Sequence, residues 1–301
     1  MTASPPDFAP VPTISGLGAI ADRFDVILCD VWGVLHDGVR AHTGAGEALI
    51  RFRDLPGGTR PRRVVLVSNA PRPWKGVQTI LDGYGVPRGA YDAILTSGDL
   101  TRRLLTETPG ASIHHLGPER DATIFDDLDL RLVAAEAAEV VVCTGLFDDT
   151  RETADDYRPT LEQWRARDVP MICANPDLVV ERAGLLIPCA GLIAEAYEAL
   201  GGRVTYAGKP YRPVYAAALE IAGALDGLAD PEPTRVLAVG DALRTDIAGA
   251  SGFGLPNLLV ARGIHAEELG VATEQASLGD VALWLARQSV QPDAIVERLV
   301  W

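Results

Sequence analysis

The sequence predicts an α/β protein: a doubly wound parallel sheet into which a second, smaller α/β unit is inserted. Three features carry that expectation. Brief Val/Ile/Leu-rich runs alternate with longer amphipathic stretches, the pattern of strands covered on both faces by helices. Several of the brief runs end abruptly in a polar residue. The middle of the chain carries its own series of short apolar runs and amphipathic stretches.

In chain order, "MTASPPDFAPVPTISG" (1–16) is a Pro-rich segment with neither a basic start nor an apolar run. It reads as a flexible arm and not as a secretion signal. "DVILCD" (25–30), "RVVLVSN" (63–69) and "YDAILTS" (91–97) read as buried strands, followed later by "RVLAVGD" (235–241) and "LPNLLVA" (255–261). "AGEALIRFRD" (45–54), "WKGVQTILDGYG" (74–85), "PVYAAALEIAGAL" (213–225) and "RTDIAGASGFG" (244–254) read as the helices between them. The inserted unit would contribute strands at "SIHHLG" (112–117), "AEVVVCTG" (138–145), "VPMICANP" (169–176) and "GRVTYAGKP" (202–210), with helices at 155–168 and 191–202. The expected organisation is therefore a core over 1–106, an inserted cap over 107–205, and the second part of the core over 206–301.

Composition narrows the function. Hydrophobic residues make up 48% of the 301, enough for a large core. Asp and Glu number 41 against 27 Lys and Arg, a net charge of −14, and no basic run offsets it. Nucleic acid and anionic membranes are therefore not expected partners, and no stretch is long and apolar enough to span a bilayer. Cys29, Cys143, Cys173 and Cys189 are far apart and lie mostly in apolar runs. They read as buried, reduced thiols of a cytoplasmic protein, not as a disulfide or zinc set.

Three core runs terminate in Asp30, in Ser68-Asn69 and in Asp241. In an open parallel sheet, ligands bind beyond the carboxyl ends of the strands. Singly, each residue has an ordinary explanation: Asp30 as a turn or cap, Asp241 and Asp246 as caps of the following helix, Lys209 as a solvated lysine. As a set they suit phosphoryl transfer. A carboxylate at Asp30 can attack phosphorus. A Mg2+ held by Asp30, a backbone carbonyl and Asp241 would let two anions approach. Ser68 and the Asn69 amide would bond phosphoryl oxygens, Lys209 would neutralise them, and Asp246 would orient Lys209 or a metal-bound water.

With these motifs in order, "CDVWGVLHDG", "LVSNAPRP", "YAGKPYRPVY" and "VGDALRTDIAGA", the chain resembles the haloacid dehalogenase (HAD) superfamily. Within it the likeness is to class IIA, the nitrophenyl-phosphatase, sugar-phosphatase and pyridoxal-phosphatase-like group. The segment "CANPDLVVERAGLLIPCAGLIAEAYEALGG" (173–202) resembles the end of that group's cap. The resemblance implies a Mg2+-dependent hydrolase of small phosphate monoesters working through an aspartyl-phosphate. It implies Asp30 as nucleophile and metal ligand, the Trp32 backbone carbonyl and Asp241 as metal ligands, and Asp246 behind them in the second shell. Ser68, Asn69 and Lys209 would hold phosphate, and Asn175 and Asp177, in the loop with Pro176, would read the leaving group. It also implies a small phosphorylated metabolite as partner and admits a homodimer.

One position departs from the family. Phosphatases of this kind carry a second aspartate two residues after the nucleophile, as general acid and base; here it is Trp32. Indole has no group that titrates near neutrality. Proton assistance is typically worth ~10²–10⁴-fold, about 3–5 kcal/mol of barrier, so a slow phosphatase is expected. His36 and Asp37 are candidates to substitute, although both also suit a plain turn. The alternative is a weak or silent protein that binds a phosphorylated ligand. Carbon–halogen hydrolysis fits less well because the metal carboxylates are present. Dinucleotide binding fits less well still, since no GxGxxG follows the first strand.

Overall fold

The computed structural model describes residues 11–182, 185–269, 281–285 and 287–301. The described residues form two compact units, one within 1–67, 81–93 and 215–301, the other within 68–80 and 94–214.

In the first unit, parallel strands run in the order Thr13–Ile14, Ala294–Val296, Asn257–Val260, Val236–Gly240, Val26–Cys29, Arg63–Ser68. Val26–Cys29 lies between Val236–Val239 and Arg63–Leu66 in unbroken register. All four of its side chains are buried, which is why "VILC" is continuously apolar instead of alternating. The helix Ala45–Asp54 buries Ala45, Ala48, Leu49 and Phe52. These positions recur at the i, i+3, i+4, i+7 spacing of one helix face. On the other side of that helix Glu47 accepts a hydrogen bond from Arg51 at 3.1 Å.

The first ten residues of the Pro-rich arm lie outside the described residues. The rest of it is not a free arm: Thr13 and Ile14 pair in parallel with Ile295 and Val296. The strand Ala294–Val296, directly beside the edge strand Thr13–Ile14, was not expected from the sequence. It is three residues long, too short for periodicity to register.

The second unit has its own parallel sheet, in the order Val204–Tyr206, Met171–Cys173, Val140–Cys143, Ser112–Leu116, Arg131–Leu132. Val141 and Cys143 face one apolar cluster, with Leu161 and Trp164 of the helix Arg158–Ala166 and Ile193 and Tyr197 of the helix Ala190–Ala199. Val142 faces a second cluster with Leu105, Ile124 and Phe125. Alternate residues of one strand thus enter two cores, and the unit is three-layered. An antiparallel hairpin, Val179–Arg182 with Leu185–Pro188, completes it.

The unit boundaries fall at 94 and 214, not at 107 and 205, and residues 68–80 also join the second unit. The helix Ser97–Thr106 accounts for much of that shift. Its Leu105 packs with Ile113 and Ile124, and Arg102 donates to the Ile124 carbonyl at 2.9 Å. Among the described residues, no helix is long and apolar enough to cross a membrane.

Candidate active site

Asp30, Asp241 and Asp246 come together in the first unit. Each is buried, and one carboxylate oxygen from each lies within 4.8 Å of the others. Asp30 follows the strand Val26–Cys29 and donates its backbone N–H to the Val239 carbonyl at 2.8 Å, so two adjacent strand ends fix it. Asp241 follows the neighbouring strand Val236–Gly240, and its Oδ2 accepts the Ile264 N–H at 2.7 Å.

The backbone is cut back to make room. A Cβ on Gly33 would stand 1.9 Å from Asp241 Oδ2, and Gly33 has φ +85°. A Cβ on Gly263 would stand 2.2 Å from the same oxygen, and one on Gly240 would stand 2.1 Å from Asp246 Cγ. Three glycines, from three parts of the chain, clear space for two carboxylates.

The helix expected at 244–254 starts differently from the sequence reading. Leu243–Ile247 forms a π turn, and a regular helix follows over Ala248–Phe253. The wider turn carries Asp246 inward, where its Oδ2 accepts the Ala242 N–H at 3.1 Å. The Tyr215 hydroxyl, 3.3 Å from the carbonyls of both Thr245 and Asp246, supports the turn from below. Asp246 thus belongs to the same cluster as Asp30 and Asp241, with an oxygen within 4.8 Å of one from each, and is a candidate direct ligand where the sequence put it a shell further out.

Three buried carboxylates this close repel one another unless a cation sits among them. An all-oxygen donor set suits a hard divalent ion such as Mg2+. The residues present therefore fit the metal that the motifs imply.

Trp32 is held by its own loop. Its ring meets the His36 ring edge-on, with centroids 5.1 Å apart, and a Cβ on Gly38 would stand 2.5 Å from the indole. Tyr84 packs on the other side of His36, at 5.0 Å, and donates its hydroxyl to the Gly38 carbonyl at 2.7 Å. His36 is 3% exposed, and its Nδ1 accepts the Gly38 N–H at 3.0 Å. Burial, reinforced by the neighbouring His42, lowers its pKa to about 4, so it is a packed neutral ring. Burial works against the Asp37 carboxylate, but backbone bonds from Arg40 and Val39 outweigh it and lower its pKa. Both residues are engaged by the turn, His36 through its ring packing and the Gly38 N–H and Asp37 through the Val39 and Arg40 N–H groups.

The other expected residues lie in the second unit. Ser68, Asn69, Asn175 and Lys209 are all buried, so Lys209 is no solvated surface lysine. The Asn69 side chain is the centre of this group. Its Oδ1 accepts the Lys209 N–H at 2.8 Å and the Ser97 hydroxyl at 3.3 Å. Its Nδ2 donates to the Lys209 carbonyl at 3.1 Å and to Asp177 Oδ1 at 2.9 Å. Both hydrogens of the side-chain amide are therefore engaged within the protein, so the side chain as placed offers no N–H to a phosphoryl oxygen. Asn175 Oδ1 accepts the Asp177 N–H at 3.1 Å and shapes the Asn175–Asp177 loop. Ser68 Oγ accepts the Ala70 N–H at 3.2 Å. Accepting that bond leaves the hydroxyl hydrogen to be donated elsewhere.

Ser97 was missed from sequence. It ends the "YDAILTS" run just as Ser68 ends "RVVLVS", and that shared pattern was the available signal.

The haloacid dehalogenase-like hydrolase profile matches residues 27–131, and a HAD-hydrolase-like profile matches 206–300. A crystal structure of a haloacid dehalogenase-like hydrolase from Brucella suis is 42% identical, with a TM-score of 0.82 over 95% of this chain and 100% of that one. The chain belongs to the haloacid dehalogenase-like family. A D-glycerol 3-phosphate phosphatase from Mycobacterium tuberculosis is 30% identical over 255 residues, 82% of this chain. The alignment spans 65% of that relative's length. The crystal structure of a glycerol phosphate phosphatase from the same organism, in complex with calcium, is 27% identical with a TM-score of 0.60, over 81% of this chain and 68% of that one.

Proposed function

We propose that this protein is a Mg2+-dependent hydrolase of small phosphate monoesters that works slowly through an aspartyl-phosphate. The observation that carries the reading is the buried cluster of Asp30, Asp241 and Asp246 beyond the ends of adjacent parallel strands. The relatives named for glycerol phosphate, one of them with calcium bound, support it.

Asp30 attacks phosphorus and the ester oxygen leaves with the bonding pair. Water then attacks the same phosphorus and frees Asp30 and inorganic phosphate. Mg2+, held by Asp30, Asp241, Asp246 and the Trp32 carbonyl, would draw charge from the phosphoryl oxygens. Ser68 is assigned to a phosphoryl oxygen and Lys209 to its developing charge. The loop Asn175–Asp177 is assigned to the leaving group. Small phosphorylated polyols and sugars are the substrate class, in a cytoplasmic setting that suits four buried free thiols. A homodimer is admitted on the family resemblance.

With Trp32 in place of a carboxylate, the departing oxygen and the attacking water both exchange protons with solvent. The rate should then fall steeply as the leaving group becomes more basic, and nitrophenyl phosphate should be hydrolysed ~10²-fold or more faster than glycerol phosphate. Mg2+-dependent phosphate release by the wild type, Asp30→Asn and Trp32→Asp tests this. Asp30→Asn should be inactive, and Trp32→Asp should flatten the leaving-group dependence. Equal rates for wild type and Asp30→Asn would remove the nucleophile. The fixed indole favours one second reading, a silent binder of phosphorylated ligands. An inactive wild type that still binds Mg2+ and phosphate would select it.

A further inference from the structure

We infer that Asn69 is a positioning residue: it clasps the Lys209 backbone to the Asn175–Asp177 loop, with Ser97 as its anchor, and so couples that loop to the placement of Lys209. The inference rests on the phosphatase reading for what Lys209 does, but the clasp itself is geometric.

Asn69 binds residue 209 from both sides, accepting from its N–H and donating to its carbonyl. Such a paired bond fixes the plane of the backbone on either side of Lys209, and thereby the direction in which its side chain leaves. The remaining amide hydrogen goes to Asp177. One planar amide therefore ties together two segments that lie 108 and 140 residues from it in sequence.

The clasp is packed as well as bonded. A Cβ on Gly208 would stand 2.6 Å from Asn69 Oδ1, 2.2 Å from Ser97 Oγ and 2.9 Å from Pro176. Only a glycine lets residue 208 approach all three. A Cβ on Gly191 would stand 2.5 Å from the Asp177 carbonyl, so the loop is seated from its other side too. Ser97 is fully buried, at the start of the helix Ser97–Thr106. It gives Asn69 an anchor on a rigid element, and its own carbonyl is bonded by Thr101 at 2.8 Å. Removing the amide would take both Asn69 bonds from the buried Lys209 backbone at once.

Two measurements on full-length protein test the clasp. The first is amide hydrogen exchange at Lys209, compared between the wild type, Asn69→Ala, Ser97→Ala and Asp177→Ala. Asn69→Ala should speed exchange at Lys209 by ten-fold or more at matched global stability, and Ser97→Ala and Asp177→Ala should each speed it by less. The second is steady-state kinetics with nitrophenyl phosphate. Here Asn69→Ala should lower kcat by ~10–10²-fold with KM little changed, because a displaced lysine weakens the transition state more than the ground state. Its combination with Asp177→Ala should cost less than the product of the single losses, and Asp177→Asn, which keeps an acceptor for Asn69, should recover exchange protection that Asp177→Ala loses. Unchanged exchange at Lys209 in Asn69→Ala would overturn the inference. So would a rise in KM alone with strictly multiplicative losses, the signature of an independent substrate ligand. An inactive wild type would sink the phosphatase reading, and exchange would still decide the clasp.

Discussion

Gly33 shows how much of this site depends on single atoms. An added methyl would occupy the place of Asp241 Oδ2, at 1.9 Å, on a residue whose φ of +85° already disfavours a side chain. Gly33→Ala should therefore push Asp241 out of the cluster. Titration calorimetry with Mg2+ and Mn2+ should show affinity reduced ~10-fold or more, comparable to losing a residue that orients a ligand. Affinity equal to wild type would mean that Asp241 does not bind the metal. Residues of this kind were half legible in the sequence. Asp30 and Asp241 stand out because a short apolar run ends in each. The role of Asn69 does not stand out, because its partners Ser97, Asp177 and Lys209 are 28, 108 and 140 residues away, and no local pattern records a bond of that reach. Trp32 was visible as an anomaly, but the ring packing that holds it was not. Tyr84 comes from a distant helix–turn segment, and Gly38 looks like an ordinary turn glycine.

At the level of strands and helices, the two ends of the first sheet do different work. The carboxyl ends gather Asp30 and Asp241. The amino ends gather ion pairs: Asp25 with Arg235 at 2.7 Å, Asp226 with Arg60 at 3.0 Å and Arg63 at 2.7 Å, and Asp92 with Arg53 at 2.6 Å. Regular helices were legible because burial imposes a period, as in Ala45–Asp54. The π turn at Leu243–Ile247 was not, because the same residues would also suit an ordinary first helical turn. The hairpin Val179–Arg182 with Leu185–Pro188 was hidden by partly exposed residues that do not alternate cleanly. The helix Ser97–Thr106 opens with a capping box. Thr96 Oγ1 accepts the Asp99 N–H at 2.9 Å, and the Thr96 N–H donates to Asp99 Oδ2 at 3.1 Å. The same hydroxyl lies 2.7 Å from the Arg72 carbonyl, so it also anchors the segment after Asn69. Thr96→Ala should cost about 1–2 kcal/mol in urea unfolding. Thr106→Ala, on the exposed last turn of the same helix, should stay within about 0.5 kcal/mol. Equal losses at the two positions would mean that the cap contributes nothing specific.

Over the whole chain, acidity should be felt in two ranges of pH, one set by buried histidines and a lower one set by a paired carboxylate. In the second unit the His115 ring packs edge-on to Phe125, at 5.1 Å, and its Nε2 bonds Thr144 Oγ1 at 2.8 Å. Burial, with a smaller contribution from the charge of His114, lowers its pKa from 6.5 to about 4. The unfolded chain therefore takes up a proton below pH 6.5 that the folded unit refuses until about pH 4. Stability is greatest above that window and falls as the pH drops through it. In the first unit Asp25 acts in the same direction but at lower pH. Its burial raises the carboxyl pKa, but bonds from Arg235 and Thr59 outweigh that and hold it below the usual carboxylate value of 3.8. Its contribution is present at neutral pH and is lost only as the pH falls below that value. The first losses on acidification should therefore come from the two buried histidines, His115 in the second unit and His36 in the first. After discounting for the part-exposed ring, His115 should account for on the order of 1 kcal/mol, a shift of roughly 2–4 °C in the thermal midpoint. Thermal unfolding measured from pH 7.5 to 4.5 should show the midpoint falling in the wild type and falling less in His115→Gln. Asp25→Asn should lower the midpoint at every pH in that range without changing its slope. If His115→Gln tracks the wild type throughout, the buried histidine is not what makes this fold sensitive to mild acid.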